Sequence, residues 1–312
     1  MKIGISITSA YQTDQVRDGA TQMVLRARAA AEAGLDSLFV GDHHVTPSPY
    51  FQNSPIMGRL LAEWDDRAAG ALYLLPLWNP VLVAEQVATL ACIAQGPFIL
   101  QCGLGRDEAQ FNAMGANIRY RPSSFEQSLA ILRALWAGQS VSQDGRWTFK
   151  NAKISPLPPE KVEVWIGASA PVAIERAARI GDAWLAEPGI TTPQAELAFN
   201  LYQDALTKHN KLNTKTVAIR RDIYVADSDR QTREVSAKIE QTGYRGFDPE
   251  ALIIGDAASV AASFQAIADI GFTDIIVRNL HHNSEEAIAS TERLSLVREK
   301  LGLASQETSP LG

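Results

Sequence analysis

The chain has 312 residues, 46% of them hydrophobic and 21% charged, with a formal net charge of -6. This is ordinary globular composition, with length for one large domain or two ordinary ones. The acidic balance gives no electrostatic footprint for nucleic acid or an anionic membrane, and two cysteines make neither a disulfide framework nor a metal cage.

The start, Met-Lys-Ile-Gly-Ile-Ser-Ile, reads as a strand and not as a signal peptide, and no apolar run reaches transmembrane length. A cytoplasmic protein is the expectation. Lys2 to Ile7 is near-continuously apolar, the pattern of a strand buried on both faces. A helix is expected from about Asp14 to Ala33, stopped by Gly34. Leu35 to Val40 is the second strand. It delivers Gly41-Asp42-His43-His44 at its carboxyl end. An irregular aromatic loop, 47 to 55, leads to a helix from Met57 to Trp64. The third strand runs from Ala68 to Leu75. Pro80 opens a helix to about Ala94, with proline in the first turn. Strands four to eight are Pro97 to Cys102, Val162 to Ile166, Ala183 to Leu185, Val217 to Val225 and Asp274 to Val277. Helices fit 172–180, 193–210, 230–242, 257–270 and 285–301. Cys92 and Cys102 read as small buried apolar residues.

One junction recurs. Ala-Glu-Ala-Gly-Leu-Asp-Ser-Leu-Phe-Val is echoed by Ala-Arg-Ile-Gly-Asp-Ala-Trp-Leu (178–185) and Ala-Asp-Ile-Gly-Phe-Thr-Asp-Ile-Ile-Val (268–277). Each is a helix end, a glycine and a short buried strand. Eight buried strands alternating with helices predict a (β/α)8 TIM barrel. We read residues 1–304 as one such domain with an insertion at about 103–160, carrying a helix from Pro122 to Trp136. Residues 305–312 read as a flexible tail.

In such barrels the chemistry sits at the carboxyl ends of the strands. Three stretches there stand out. Asp42-His43-His44 offers a histidine near neutral pH with a carboxylate to orient it. Cys102-Gly103-Leu104-Gly105-Arg106 has two glycines that let backbone approach a ligand. Trp165-Ile-Gly167-Ala168-Ser169-Ala170-Pro171 runs small residues into a helix N-terminus, which suits an anion. Ser169 capping the helix is the simpler reading, and uses the same geometry. The other histidines, His209 and His281-His282, give no ligand set spread over several strand ends, so no metal is expected. No Gly-x-Ser-x-Gly elbow is present.

These residues resemble the bacterial luciferase-like monooxygenase family. The resemblance rests on the Ala-Glu-Ala-Gly to Asp-His-His run, Leu-Pro-Leu-Trp-Asn-Pro-Val (75–81), Ala-Glu-Gln-Val-Ala-Thr-Leu (84–90) and Gly-Leu-Gly (103–105). It continues through Phe-Asn-Ala-Met-Gly (111–115), Glu126, Leu-Arg-Ala-Leu-Trp (132–136), Trp-Ile-Gly-Ala-Ser-Ala-Pro and Ala-Ala-Arg-Ile-Gly-Asp-Ala-Trp. It implies a barrel that binds FMN, or the deazaflavin coenzyme F-420, at its C-terminal face. His43 then falls on the active-site histidine and Asp42 on the acidic residue before it. Ser169, with Gly167 and Ala168, falls on the phosphate cradle. Arg121 lies within one position of a phosphate-binding arginine, and Arg106 stands two residues from another. The sequence departs from the family at Leu104, and at Gln95-Gly96-Pro97-Phe98.

The resemblance implies a monooxygenase that uses reduced FMN and dioxygen on a small, largely apolar substrate. Its pocket rim is expected to draw on Tyr50, Phe51, Met57, Trp64 and Trp78. The alternatives are coenzyme F-420-dependent hydride transfer and a non-catalytic flavin-binding barrel. An aldolase or isomerase barrel lacks a lysine inside a strand. No nicotinamide motif appears, so a separate flavin reductase is expected as a partner if FMN is used. A homodimer is the family's habit. The resemblance also implies a non-proline cis peptide under the flavin ring, at Ala71–Leu72 or one bond later.

Overall fold

The computed structural model describes residues 1–11, 15–281 and 283–303. The expected helix start at Asp14, His282, and the tail at 305–312 lie outside the described residues. The strands are β1 (Lys2–Ile7), β2 (Ser37–Val40), β3 (Ala68–Leu74), β4 (Phe98–Gly103), β5 (Val141–Gln143), β6 (Phe149–Ala152), β7 (Glu163–Gly167), β8 (Ala183–Ala186), β9 (Val217–Val225), β10 (Ile253–Gly255) and β11 (Asp274–Asn279). The helices are α1 (Val16–Glu32), α2 (Asn53–Leu60), α3 (Pro80–Ile93), α4 (Glu108–Ala113), α5 (Arg121–Trp136), α6 (Pro171–Ile180), α7 (Thr192–Lys208), α8 (Asp229–Thr242), α9 (Ala257–Ile270), α10 (Ser284–Glu292) and α11 (Leu294–Lys300).

Eight parallel strands close into a barrel in the order β9-β11-β1-β2-β3-β4-β7-β8, with β8 pairing back onto β9. The eight strands expected from apolar runs are the eight barrel strands. Most helices form the outer layer, burying one face against the sheet, whereas α8 buries no residue. The insertion between β4 and β7 holds α4, α5 and the antiparallel pair β5–β6. Three features depart from the sequence reading. The loop expected over 47–55 ends early, because α2 starts at Asn53. The single helix expected over 285–301 is two, broken at Arg293. The short strand β10 pairs with the upper half of β9, outside the barrel.

The repeated junctions use their glycines in two ways. Gly34 and Gly271 have φ of +71° and +120°, which side chains disfavour. Gly181 instead has φ of -82°. It is glycine for space, since a Cβ there would lie 2.6 Å from the Ala177 carbonyl oxygen.

Strand alternation stacks the barrel interior in layers. Phe39, Ile99, Trp165, Ala183, Ala218 and Ile276 form the middle layer. Phe39 fits only because its neighbour on β3 is Gly70. A Cβ at Gly70 would sit 2.2 Å from the Ile99 carbonyl oxygen and 2.8 Å from Phe39 Cε1. Gly70→Ala is therefore expected to lower the unfolding free energy by about 1–3 kcal/mol, the usual cost of overpacking. An unchanged urea midpoint for the variant would show that the barrel relaxes around the added methyl.

The expected cis bond is corrected. Ser155–Pro156 is the one cis peptide among the described residues, so Ala71–Leu72 and Leu72–Tyr73 are trans. The physical reason is visible in the sheet. β3 holds continuous register with β4, from Ala69 opposite Phe98 to Leu74 opposite Gly103. The Leu72 carbonyl accepts a 2.7 Å hydrogen bond from Asn53 Nδ2. Of the cysteines, Cys102 is buried as expected, but Cys92 is exposed on the outer layer.

Candidate active site

Above the middle layer, five of its six strands contribute the residue two positions on. Gly41, Gln101, Leu185, Arg220 and Arg278 follow Phe39, Ile99, Ala183, Ala218 and Ile276. With Ser6, Leu72 and Tyr50 they line a cavity of about 70 Å³ in the barrel mouth. The floor is apolar and the walls carry donors.

Arg220 is held by Asp222, from Nε and Nη2 to Oδ1 at 3.1 and 3.0 Å. Asp222 also accepts from Tyr244 Oη and Arg245 Nη1, both at 2.9 Å, and its side chain is wholly buried. Burial alone would raise the Asp222 carboxyl, but Arg220, Arg278 and Arg245 together hold it below its ordinary value. Burial pulls Arg220 down to about 10, against the pull of Asp222, so it stays charged at neutral pH. Arg278 donates to Thr8 Oγ1 at 2.8 Å and has no carboxylate partner among the described residues. Gln101 is 5% exposed, and its Nε2 has no hydrogen-bond acceptor. A buried orphan donor beside a guanidinium that makes no ion pair is what an anion or a ring carbonyl would satisfy. Burial pushes the Tyr50 phenol up to about 12, so it too is a neutral donor at working pH.

The three histidine-loop residues divide as strand alternation requires. Asp42 and His44 are buried together on the outer side. Asp42 Oδ2 accepts from Leu74 N and Trp78 Nε1, both at 2.8 Å. Its Oδ1 lies 3.1 Å from His44 Nε2, a contact too poorly aligned to be a hydrogen bond. Asp42 thus ties the β2 and β3 ends together and does not touch His43's ring, contrary to the expectation that it orients that histidine. His43 is half-exposed on the other side, its ring 5.8 Å from that of Tyr50. Its Nδ1 lies 3.0 Å from Gln110 Nε2.

The glycine-rich stretches come together because β4 and β7 are neighbours, with Cys102 opposite Ile166. Gly103 and Gly167 end these two strands, and Gly105 follows with φ of +71°. A Cβ on Gly167 would lie 3.5 Å from the Cys102 carbonyl. Ala168 is buried and fixed by Trp184 Nε1, which donates to its carbonyl at 2.8 Å. Ser169 is exposed, and the cap position of α6 belongs to Ala170. The simple capping role is therefore not what Ser169 does. Arg121 opens α5 and is half-buried. Glu126 bridges the two helices, accepting from Arg176 Nε at 2.9 Å and Arg179 Nη2 at 2.8 Å. Arg106 is exposed on the loop before α4.

The expected pocket rim needs correction. Tyr50 and Leu72 line the mouth cavity, while Ala71 is fully buried behind it. Trp78 lines a separate groove of about 460 Å³, with Met114, Tyr120 and Trp147 from the insertion. Met57 and Trp64 line neither. Both are at most 1% exposed in the outer core, and the Trp64 indole donates to the Arg67 and Ala68 carbonyls at the opposite end of β3. Phe51 packs edge-on against Tyr11, also away from the cavity lining. The sequence reading missed Arg220, Arg278, Gln101 and Gln110. A signal existed for the first: Arg220-Arg221-Asp222 interrupts an otherwise apolar barrel strand.

No helix of the described residues is long and apolar enough to cross a membrane. The family model described as luciferase-like monooxygenase matches residues 1–270. An F-420-dependent glucose-6-phosphate dehydrogenase of Beutenbergia cavernae is 32% identical over 169 residues. That match covers 51% of this chain and 50% of the relative, so the chain spans about half the length of that curated protein. The monooxygenase RslO1 of Streptomyces bottropensis superimposes with a TM-score of 0.82 at 19% identity, over 95% of this chain and 98% of that one. The oxygenating constituent of 3,6-diketocamphane monooxygenase from Pseudomonas putida, in complex with FMN, gives 0.77 at 15% identity, over 95% and 97%.

Proposed function

The chain belongs to the luciferase-like monooxygenase family, and from that membership we propose an oxidoreductase that uses coenzyme F-420 to transfer a hydride to or from a small anionic substrate. The observation that carries the reading is the mouth cavity. Arg278 and the buried orphan Gln101 Nε2 stand there over an apolar floor, and Arg220 beside them is only partly neutralised by Asp222. The likeness to an F-420-dependent enzyme of a phosphorylated sugar supports the same choice.

The residues fit the cofactor. Gly103, Gly105 and Gly167 present no side chain at the β4–β7 rim, and the Ser169 hydroxyl is free of capping duty before a helix N-terminus. These groups, with Arg121, would hold the phosphate. Bound there, the deazaflavin supplies two-electron hydride chemistry, while the protein supplies orientation and charge. Leu72 and Leu185 offer apolar surface to a ring, and Arg220 and Arg278 hold the anionic end of the substrate.

A second reading, an FMN-dependent monooxygenase, is favoured by the aromatic groove of Trp78, Tyr120 and Trp147, which suits an apolar molecule. Titration of the purified chain with each cofactor separates the two. We expect F-420 fluorescence to change on binding and FMN to bind at least tenfold more weakly, about 1.4 kcal/mol. Glucose 6-phosphate is expected to bind the loaded protein, and Arg278→Ala to abolish that binding while cofactor affinity holds. Tighter FMN binding, with oxygen uptake on an uncharged substrate, would favour the second reading.

A further inference from the structure

Gln110 sits on α4 and is 4% exposed. Its amide nitrogen is 3.0 Å from two atoms at once, the His44 carbonyl oxygen and His43 Nδ1. A carbonyl oxygen only accepts, so the group facing it is the NH2 of the amide. The flipped amide would set its own oxygen against the His44 oxygen. The bonding network therefore settles the orientation. The second hydrogen of that NH2 is left for His43 Nδ1, which must accept it and carries no proton. A neutral imidazole has one N–H, and here it falls on Nε2. No protein group among the described residues bonds Nε2, and it is not among the buried unpaired atoms.

We propose that Gln110 is a positioning residue that fixes His43 in the Nε2–H tautomer, so that His43 acts as a hydrogen-bond donor to an oxygen in the site and not as a proton-transfer group. A general base needs a bare Nε2, which moves the proton to Nδ1. A general acid needs protons on both nitrogens. Either form sets an Nδ1–H against the Gln110 NH2, two donors 3.0 Å apart. Gln110 cannot easily turn away. It is buried, and its short helix is capped by Asp107, whose Oδ1 accepts from Ala109 N and Gln110 N. A neutral donor aimed at an oxygen stabilises charge that builds there during reaction, as oxyanion-hole donors do.

The donor role rests on the oxidoreductase reading, whereas the tautomer does not. The tautomer is read on the full chain without cofactor, labelled with 15N-histidine. Long-range proton–nitrogen spectra are recorded at a pH where the rings are neutral, and His43 is assigned by the signals lost in His43→Gln. We expect a bare Nδ1 and a protonated Nε2 in the wild type. Gln110→Glu, which offers only an acceptor, is expected to reverse them. Gln110→Leu, a fallback should the glutamate variant not fold, is expected to give a mixture. A wild-type proton on Nδ1, or a tautomer indifferent to both substitutions, overturns the proposal. A kinetic arm tests the role. The amide of His43→Gln can donate from near the Nε2 position and should keep turnover within about tenfold. His43→Ala should lose about 100- to 1,000-fold. Equal losses overturn the donor role. A chain that shows the expected tautomer but turns over nothing with either cofactor leaves Gln110's placement standing and removes the oxidoreductase reading instead.

Discussion

Asp222→Ala is expected to cost about 3–5 kcal/mol of stability, because it leaves the largely enclosed Arg220 guanidinium without its counter-charge. Asp222 is the shared acceptor of Arg220, Arg245 and Tyr244, and its side chain is wholly enclosed. Urea unfolding should show a lowered midpoint at unchanged slope. The pH dependence follows from the sign of the shift. The folded carboxyl is held below its ordinary value of about 3.9. Its contribution is then fully present above that value and is lost as pH falls through the folded value. Wild type and Asp222→Asn should differ near neutrality and converge in strong acid. A stability gap that stays constant down to the acid limit would show that the charge of Asp222 is not what matters.

Ser169→Asp is expected to abolish tight binding of a phosphorylated cofactor. A carboxylate placed about 4 Å from a phosphate near the protein surface is opposed by about 4 kcal/mol, or roughly 1,000-fold in affinity. The comparison that isolates the phosphate uses an analogue lacking it: riboflavin against FMN, or the phosphate-free deazaflavin against F-420. The analogue should lose little. Equal weakening of both ligands would move the phosphate away from the β7–α6 junction.

The barrel was legible in the sequence because its strands are buried on both faces and end in repeated helix–glycine–strand junctions. β9 could be placed to the residue, Val217 to Val225. The three-residue strands β5 and β10 carry no such period, and both depend on a partner to exist. The histidine loop was legible from Asp42-His43-His44, and alternation put Asp42 and His44 on one side. The work done by Asp42 was not legible, since Leu74 and Trp78 reach it from another strand end. Gln110 gave no sign at all. A glutamine on a six-residue helix is ordinary, and its meaning arises only from contacts 66 and 67 residues away in sequence. The cis peptide was carried over from resemblance, and local register overruled it.

The length of β9 has a consequence for traffic through the mouth. β9 has nine residues, against four in β2 and in β8. Its last three rise past the rim, where β10 and a cluster of Tyr224, Ala226, Leu252 and Leu280 back them. The strand wall is therefore lopsided, tallest beside Arg220 and Arg278. A molecule that enters the mouth is stopped on that side by the tall parapet. A long cofactor would lie with its phosphate at the threshold and its ring inward.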